Sequence, residues 1–204
     1  MKTGPPTLSR RFLPVGVVVL LVALLGACTG RGGGYLNPDG VFTGKAQLGF
    51  TFSCEDPGGI NPPTGQLRIQ LSYSDRGAGP TVKGPFSIHG IVDEIDPVDE
   101  SMFCIGQNPP PTPNQLIFLG RFRPTTTARP TGFAKSCPTR ATSASPLCRF
   151  EVIVRDNDNN LAPSEGDFFS IQLSSATTLT SELDPTTVFY ARAGYLAGGN
   201  LTVD

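Results

Sequence analysis

Beyond residue 43 the chain alternates apolar and polar residues almost one by one. Leu48, Phe50 and Phe52 are interleaved with Gln47, Gly49 and Thr51, and Leu67, Ile69, Leu71 and Tyr73 with Arg68, Gln70 and Ser72. Phe150, Val152 and Val154, then Phe169, Ile171 and Leu173, repeat the pattern. Successive side chains of a strand leave opposite faces, so period 2 predicts strands with one buried face each. Further strands are predicted at 86–92, with a bulge at Gly90, at 116–122, at 188–193 and at 200–203. Between them lie turn-rich breaks such as Asp56-Pro57-Gly58-Gly59 and Asn61-Pro62-Pro63, and a polar loop at 156–166. Two connections are long. Residues 93–113 carry Pro109-Pro110-Pro111, and 124–146 are rich in Thr, Ser, Ala and Pro.

About eight short strands and no amphipathic helix predict an all-β fold. The favoured form is an antiparallel two-layer sandwich, jelly-roll-like among its topologies, with long Pro-rich, disulfide-containing loops. A closed barrel is the other arrangement the pattern allows.

The first 27 residues follow a different rule. Lys2, Arg10 and Arg11 precede an uncharged apolar run from Val15 to Ala27, which reads as an export signal. That run is too short for a spanning helix, which needs about 20 apolar residues. Ser9-Arg10-Arg11-Phe12-Leu13 has part of a twin-arginine signal but lacks its usual spacing, so an ordinary basic start is favoured. The run ends in Leu25-Gly26-Ala27-Cys28, which resembles the lipobox of bacterial lipoproteins. That resemblance implies cleavage before Cys28 and a diacylglyceryl group on its sulfur. A membrane anchor follows, since two acyl chains hold a protein stably where one does not. The implied organisation is a signal peptide at 1–27, a lipidated N-terminus with a Gly-rich tether at 28–42 and a β domain at 43–204. Arg31-Gly32-Gly33-Gly34 supplies the tether.

Composition adds two constraints. The 24 glycines and 20 prolines suit a turn-rich β protein. The net charge of −1 becomes more negative once the basic leader is removed, and no basic block remains of the kind nucleic acid requires. The five cysteines change the picture more. With Cys28 assigned to lipid, Cys54, Cys104, Cys137 and Cys148 form an even set in an oxidising compartment. Three pairings are open. Cys54–Cys104 with Cys137–Cys148 is the expected one, because the second pair closes a short loop between strands. A zinc site is disfavoured, since no C-x-x-C pair occurs and His89 is the lone histidine.

Several short motifs, in order, carry a second resemblance. They are Gly32-Gly33-Gly34, Gly44-Lys45-Ala46 with Gly49-Phe50, Gly65-Gln66-Leu67, Phe-Glu-Val-Ile-Val-Arg-Asp at 150–156, Asp167-Phe168-Phe169-Ser170-Ile171-Gln172-Leu173, and Gly194-Tyr195-Leu196-Ala197-Gly198-Gly199-Asn200. The series resembles the post-COAP type of β module in exported bacterial surface proteins. The chain departs from it where Leu48-Gly49-Phe50 replaces Phe-Gly-Phe, and in the two Cys-bearing insertions. The resemblance implies a fold and carries no catalytic residue.

Candidate chemistry is sparse. Asp156, Asp158, Asn160 and Asp167 stand at positions 1, 3, 5 and 12 of a calcium-loop spacing. Leu161 replaces the usual glycine at position 6, so an EF-hand is ruled out and a sandwich-loop calcium site is the remaining metal reading. An Asx-rich turn is the favoured alternative. The acidic group Asp93, Glu94, Asp96 and Asp99 could pair carboxylates for glycoside hydrolysis. His89 beside Ser87 lacks a nucleophile elbow. Tyr73, Tyr190 and Tyr195 could line a sugar-binding face, although core packing is the commoner use of such residues. The sequence therefore predicts a secreted, membrane-anchored lipoprotein of the bacterial cell envelope, a non-enzymatic binding or structural module. Its expected partners are membrane lipid through the palmitate-type chains on Cys28 and an envelope protein or glycan, with no cofactor besides the calcium of that loop. An envelope glycan hydrolase and a small-ligand carrier are the alternatives.

Overall fold

The computed structural model describes residues 28–54, 67–91, 114–125, 128–142, 145–157, 166–178 and 182–203. Among them are nine strands: β1 (Cys28–Leu36), β2 (Ala46–Cys54), β3 (Leu67–Asp75), β4 (Phe86–Ile91), β5 (Gln115–Pro124), β6 (Cys148–Arg155), β7 (Phe168–Ser174), β8 (Val188–Tyr195) and β9 (Gly198–Val203). All pair antiparallel in one sheet ordered β8-β7-β6-β5-β4-β3-β2-β1-β9. Eight strands thus form a meander, and the ninth returns to the edge beside β1.

That return is short. Only Leu196 and Ala197 separate β8 from β9. Tyr195 pairs with Phe168 of β7, and Gly198 pairs with Tyr35 of β1. At the junction the Leu196 N–H donates to the Asp167 carbonyl, and the Ala197 N–H to that of Tyr35. One extended segment therefore touches both ends of the sheet, which curls into a barrel-like shell. The expected all-β architecture is present. Its two packed layers are opposite walls of a single curled sheet.

The alternation seen in the sequence supplies the filling. Phe50, Leu71, Ile88, Phe118, Phe150 and Ile171 all point inward and are almost fully buried. Phe118 meets Phe50 and Phe52 across the interior, with ring centroids 5.6 and 5.1 Å apart, and Tyr73 stacks on Phe169 at 6.2 Å. Each such side chain contributes about 1.5–3 kcal/mol on burial. The Phe150 ring lies over Gly90 and Gly120, where a Cβ would stand 2.6 Å from ring carbons. The predicted bulge at Gly90 is absent: the β3–β4 register runs unbroken, and the irregularity falls at Leu173/Ser174. Gly90 is a place for a ring rather than an extra residue.

The Gly-rich tether needs correction. Arg31–Gly34 lie in β1, paired with β2 on one side and β9 on the other. The run is flexible only in isolation; here ladders on both sides hold it, and its missing side chains admit the neighbouring walls. Cys28 accordingly lies in the sheet itself, and no spacer separates that residue from it.

The disulfide Cys137–Cys148 forms as expected, with Cα atoms 5.3 Å apart and both residues fully buried. It ties the long 125–147 connection to the start of β6, where closing such a loop is worth about 3 kcal/mol. Cys54 ends β2, its backbone opposite Cys28 in register. Cys104, its expected partner, lies outside the described residues, as do the expected signal peptide at 1–27 and the acidic group Asp93, Glu94, Asp96 and Asp99.

Candidate functional site

Of the proposed calcium ligands, Asp156 and Asp167 are described and both are buried, while Asp158 and Asn160 lie outside the described residues. The two carboxylates work along β9. Asp167 Oδ2 accepts the Leu201 N–H at 2.6 Å and its Oδ1 the Asn157 N–H at 3.0 Å. Asp156 Oδ2 accepts the Val203 N–H at 3.4 Å. β9 has β1 on one side only, so on its other side these oxygens replace a strand. Among the described residues no group of three or more His, Cys, Asp or Glu is arranged to hold a metal ion.

Tyr73 and Tyr190 belong to a second buried set. Tyr73 lies on β3 and Tyr190 on β8, and their hydroxyls are hydrogen-bonded at 2.5 Å. The Tyr190 hydroxyl also donates to Asp75 Oδ2 at 2.8 Å, and the same oxygen receives Arg192 Nη1 at 2.8 Å. Arg192 Nη2 donates to the carbonyls of Asn37 and Gly44, and its guanidinium lies 4.5 Å from the Phe42 ring centroid. Burial pushes both phenols well above the usual tyrosine range. Burial alone would weaken the Arg192 charge, but the bond and attraction of Asp75 outweigh it and raise the guanidinium further. The set binds β3, β8 and the β1–β2 connection together, and neither tyrosine offers its face to a sugar. Tyr195, about half exposed, packs edge-on against Phe168.

The outer wall differs. Gly33, Gly49, Ser72, His89 and Arg123 stand in one register row across β1–β5. A neighbouring row runs Arg31, Thr51, Gln70, Ile91 and Arg121. Alternation turns all of these side chains outward, and the small residues of the first row leave a depression. The result is a trough of about 510 Å³ in which Thr51, Gln70, Ser72, His89 and Arg123 stand around apolar surface from Phe50, Leu71 and Ile91. Directly opposed side chains on adjacent strands have Cβ atoms about 5 Å apart, so His89 and Arg123 can reach one ligand group. Arg31, Arg68, His89 and Arg123 are all exposed. No outward position of β1–β5 carries Asp or Glu.

The positive character extends beneath the surface beside Arg123. Arg121 is buried and donates to the carbonyls of Leu147 and Thr177 at 2.7 and 2.8 Å. Arg149, opposite it on β6, donates to the Thr178 carbonyl at 3.1 Å. Burial, then the neighbouring Arg121, push the Arg149 guanidinium down to about 10, so it stays charged at neutral pH.

Of the residues considered for chemistry in the sequence, His89 lines this trough. The rest was legible only as the polar half of the alternation, because which polar residues become neighbours depends on register. Comparison with protein-family models, with curated proteins and with solved structures finds no match to the chain.

Proposed function

We propose that the chain is a membrane-anchored, extracytoplasmic lipoprotein that serves as a non-enzymatic binding module of the bacterial cell envelope. The lipobox-like Leu25-Gly26-Ala27-Cys28, after a basic start and a short apolar run, supports the anchor. Because β1 starts at Cys28, an acyl group there holds the barrel itself against the bilayer.

The observation that carries the binding part is the contrast between the two sides of the wall. The interior is filled with aromatic and branched side chains, which favours a ligand on the outside over one carried within. The outside of β2–β5 has a trough with a histidine and an arginine side by side.

Radiolabelled palmitate fed to cells expressing the full chain tests the anchor. The wild type is expected to incorporate label and to sediment with membranes. Cys28→Ala is expected to lose both the label and cleavage at residue 28. Equal labelling of the two proteins would overturn the anchor.

A further inference from the structure

We infer that the trough on the outer wall of β2–β5 binds an acidic glycan, a saccharide polymer bearing carboxylate or phosphate groups. The inference rests on the binding-module reading above and names the ligand class of the same site. Its basis is charge and hydrogen-bonding type together. Arg31, His89 and Arg123 are exposed on one face whose outward positions from β1 to β5 hold no acid. Such a face attracts anions over a range of about 8–10 Å in physiological salt.

Between the cations the floor carries Thr51, Gln70 and Ser72, which donate and accept hydrogen bonds as sugar hydroxyls do. His89 and Arg123 lie at one end of the row, where a guanidinium suits the paired oxygens of carboxylate or phosphate. The shape agrees. The trough crosses strands along a register row, so a ligand contacts β2, β3, β4 and β5 in turn, as an extended chain would.

Other occupants fit less well. A peptide added as a strand needs a free sheet edge, and the β8–β9 segment brings the two edges of this sheet together. A lipid-like ligand would meet apolar surface from Phe50, Leu71 and Ile91, but an uncharged one would leave the exposed Arg123 and His89 beside it with no anion to meet.

Titration of the processed full-length protein with three polymers tests the inference: polygalacturonate for carboxylate, poly(glycerol phosphate) for phosphate and dextran as the neutral control. Binding is expected to at least one polyanion, weakening as salt rises, with none to dextran. Binding to only one of the two identifies which acidic group is read. Arg123→Gln and His89→Gln are each expected to weaken binding about tenfold, the loss of one charge-assisted contact. Gly49→Trp is expected to block it. A Cβ at Gly49 meets nothing nearer than the Gly32 carbonyl oxygen at 3.9 Å, so the backbone has room for a side chain there, and an intact far-UV circular dichroism spectrum checks that the variant folds. Lys135→Gln, on the disulfide-closed connection, serves as a charge control and should bind as the wild type.

Binding to neither polyanion, dextran binding of equal strength, or three trough variants with wild-type affinity would each overturn the inference. Palmitate labelling of the same preparations separates the two proposals. Labelled protein that binds no polyanion defeats the glycan inference alone, and unlabelled protein that binds through the trough defeats the anchor alone.

Discussion

Asp75 shows what a single residue can hold in this protein. Its carboxylate is almost fully buried and takes Arg192 and Tyr190 on one oxygen and the Gly77 N–H on the other. Taking such a pair out of water costs energy that the attraction repays only with good geometry and further hydrogen bonds. Both are present here, and Arg192 uses Nη2 on two carbonyls. Removing one partner strands the other. Asp75→Asn is therefore expected to lower stability by about 3–5 kcal/mol in urea unfolding. Tyr73→Phe, which removes one hydroxyl from the same set, is expected to cost about 1–2 kcal/mol. Equal losses would mean that packing rather than charge holds this end of the barrel. In the sequence Asp75 closes an apolar stretch and looks like a turn residue. Its partner on β8 is 117 residues away, and no local pattern joins them.

At the scale of the element, β1 and β9 decide how the sheet closes. Both are rich in glycine, and the two strands approach closely where side chains are missing. Gly199 has φ of +116°, and a Cβ on it would collide with the Gly33 carbonyl oxygen and the Gly34 Cα. Gly40 also has positive φ, +87°, but a Cβ there meets no atom within 4 Å. The two positions separate backbone strain from close approach. Gly40→Ala is expected to cost about 1 kcal/mol, the strain of the left-handed region alone. Gly199→Ala adds a backbone collision and is expected to cost at least 3 kcal/mol more, read as a fall in midpoint on thermal melting. Similar melting points would show that β9 can move away from β1 at little cost. The run Arg31–Gly34 is the clearest case of a composition that points two ways. Glycine favours a flexible spacer when unpartnered and a tightly packed strand when neighbours lie on both sides, and only the neighbours distinguish them.

At the scale of the whole molecule, the shell is finished by side chains as well as by strands. Asp156 and Asp167 stand where a neighbour of β9 would otherwise be and take its N–H groups. Asp167→Ala leaves the buried N–H groups of Leu201 and Asn157 without that acceptor, at a cost of about 1–3 kcal/mol for each. The effect should be local. Amides of β1 and β9 are expected to exchange with solvent faster in the variant, while those of β5, β6 and β7 keep their protection. A uniform rise across the sheet would mean that the carboxylate supports the fold in general and not its closure. The same pair spans positions 1 and 12 of the calcium-like spacing. The sequence shows acidic side chains at the two ends of a loop, which metal ligands and backbone acceptors share, and the fold supplies backbone N–H groups to meet them.

What the chain determines by itself is local: which residues face in, where strands begin and stop, that the protein is all-β, and that a short loop between strands can be closed by Cys137 and Cys148. Each of these depends on neighbours within a few positions, through the two-residue repeat of the strand or the geometry of a turn. The lipobox-like motif on which the proposed anchor at Cys28 rests is also read over a few adjacent residues. Tertiary structure decides the rest. It sets the register that lines up Gly49, Ser72, His89 and Arg123, the path by which β9 reaches β1, and the partners of Asp75, Asp156 and Asp167. Those contacts join residues tens to more than a hundred positions apart. Alternation is the same whichever strands become neighbours, so the pattern that makes each strand predictable leaves the order of strands, and the site they form, to the closing of the sheet.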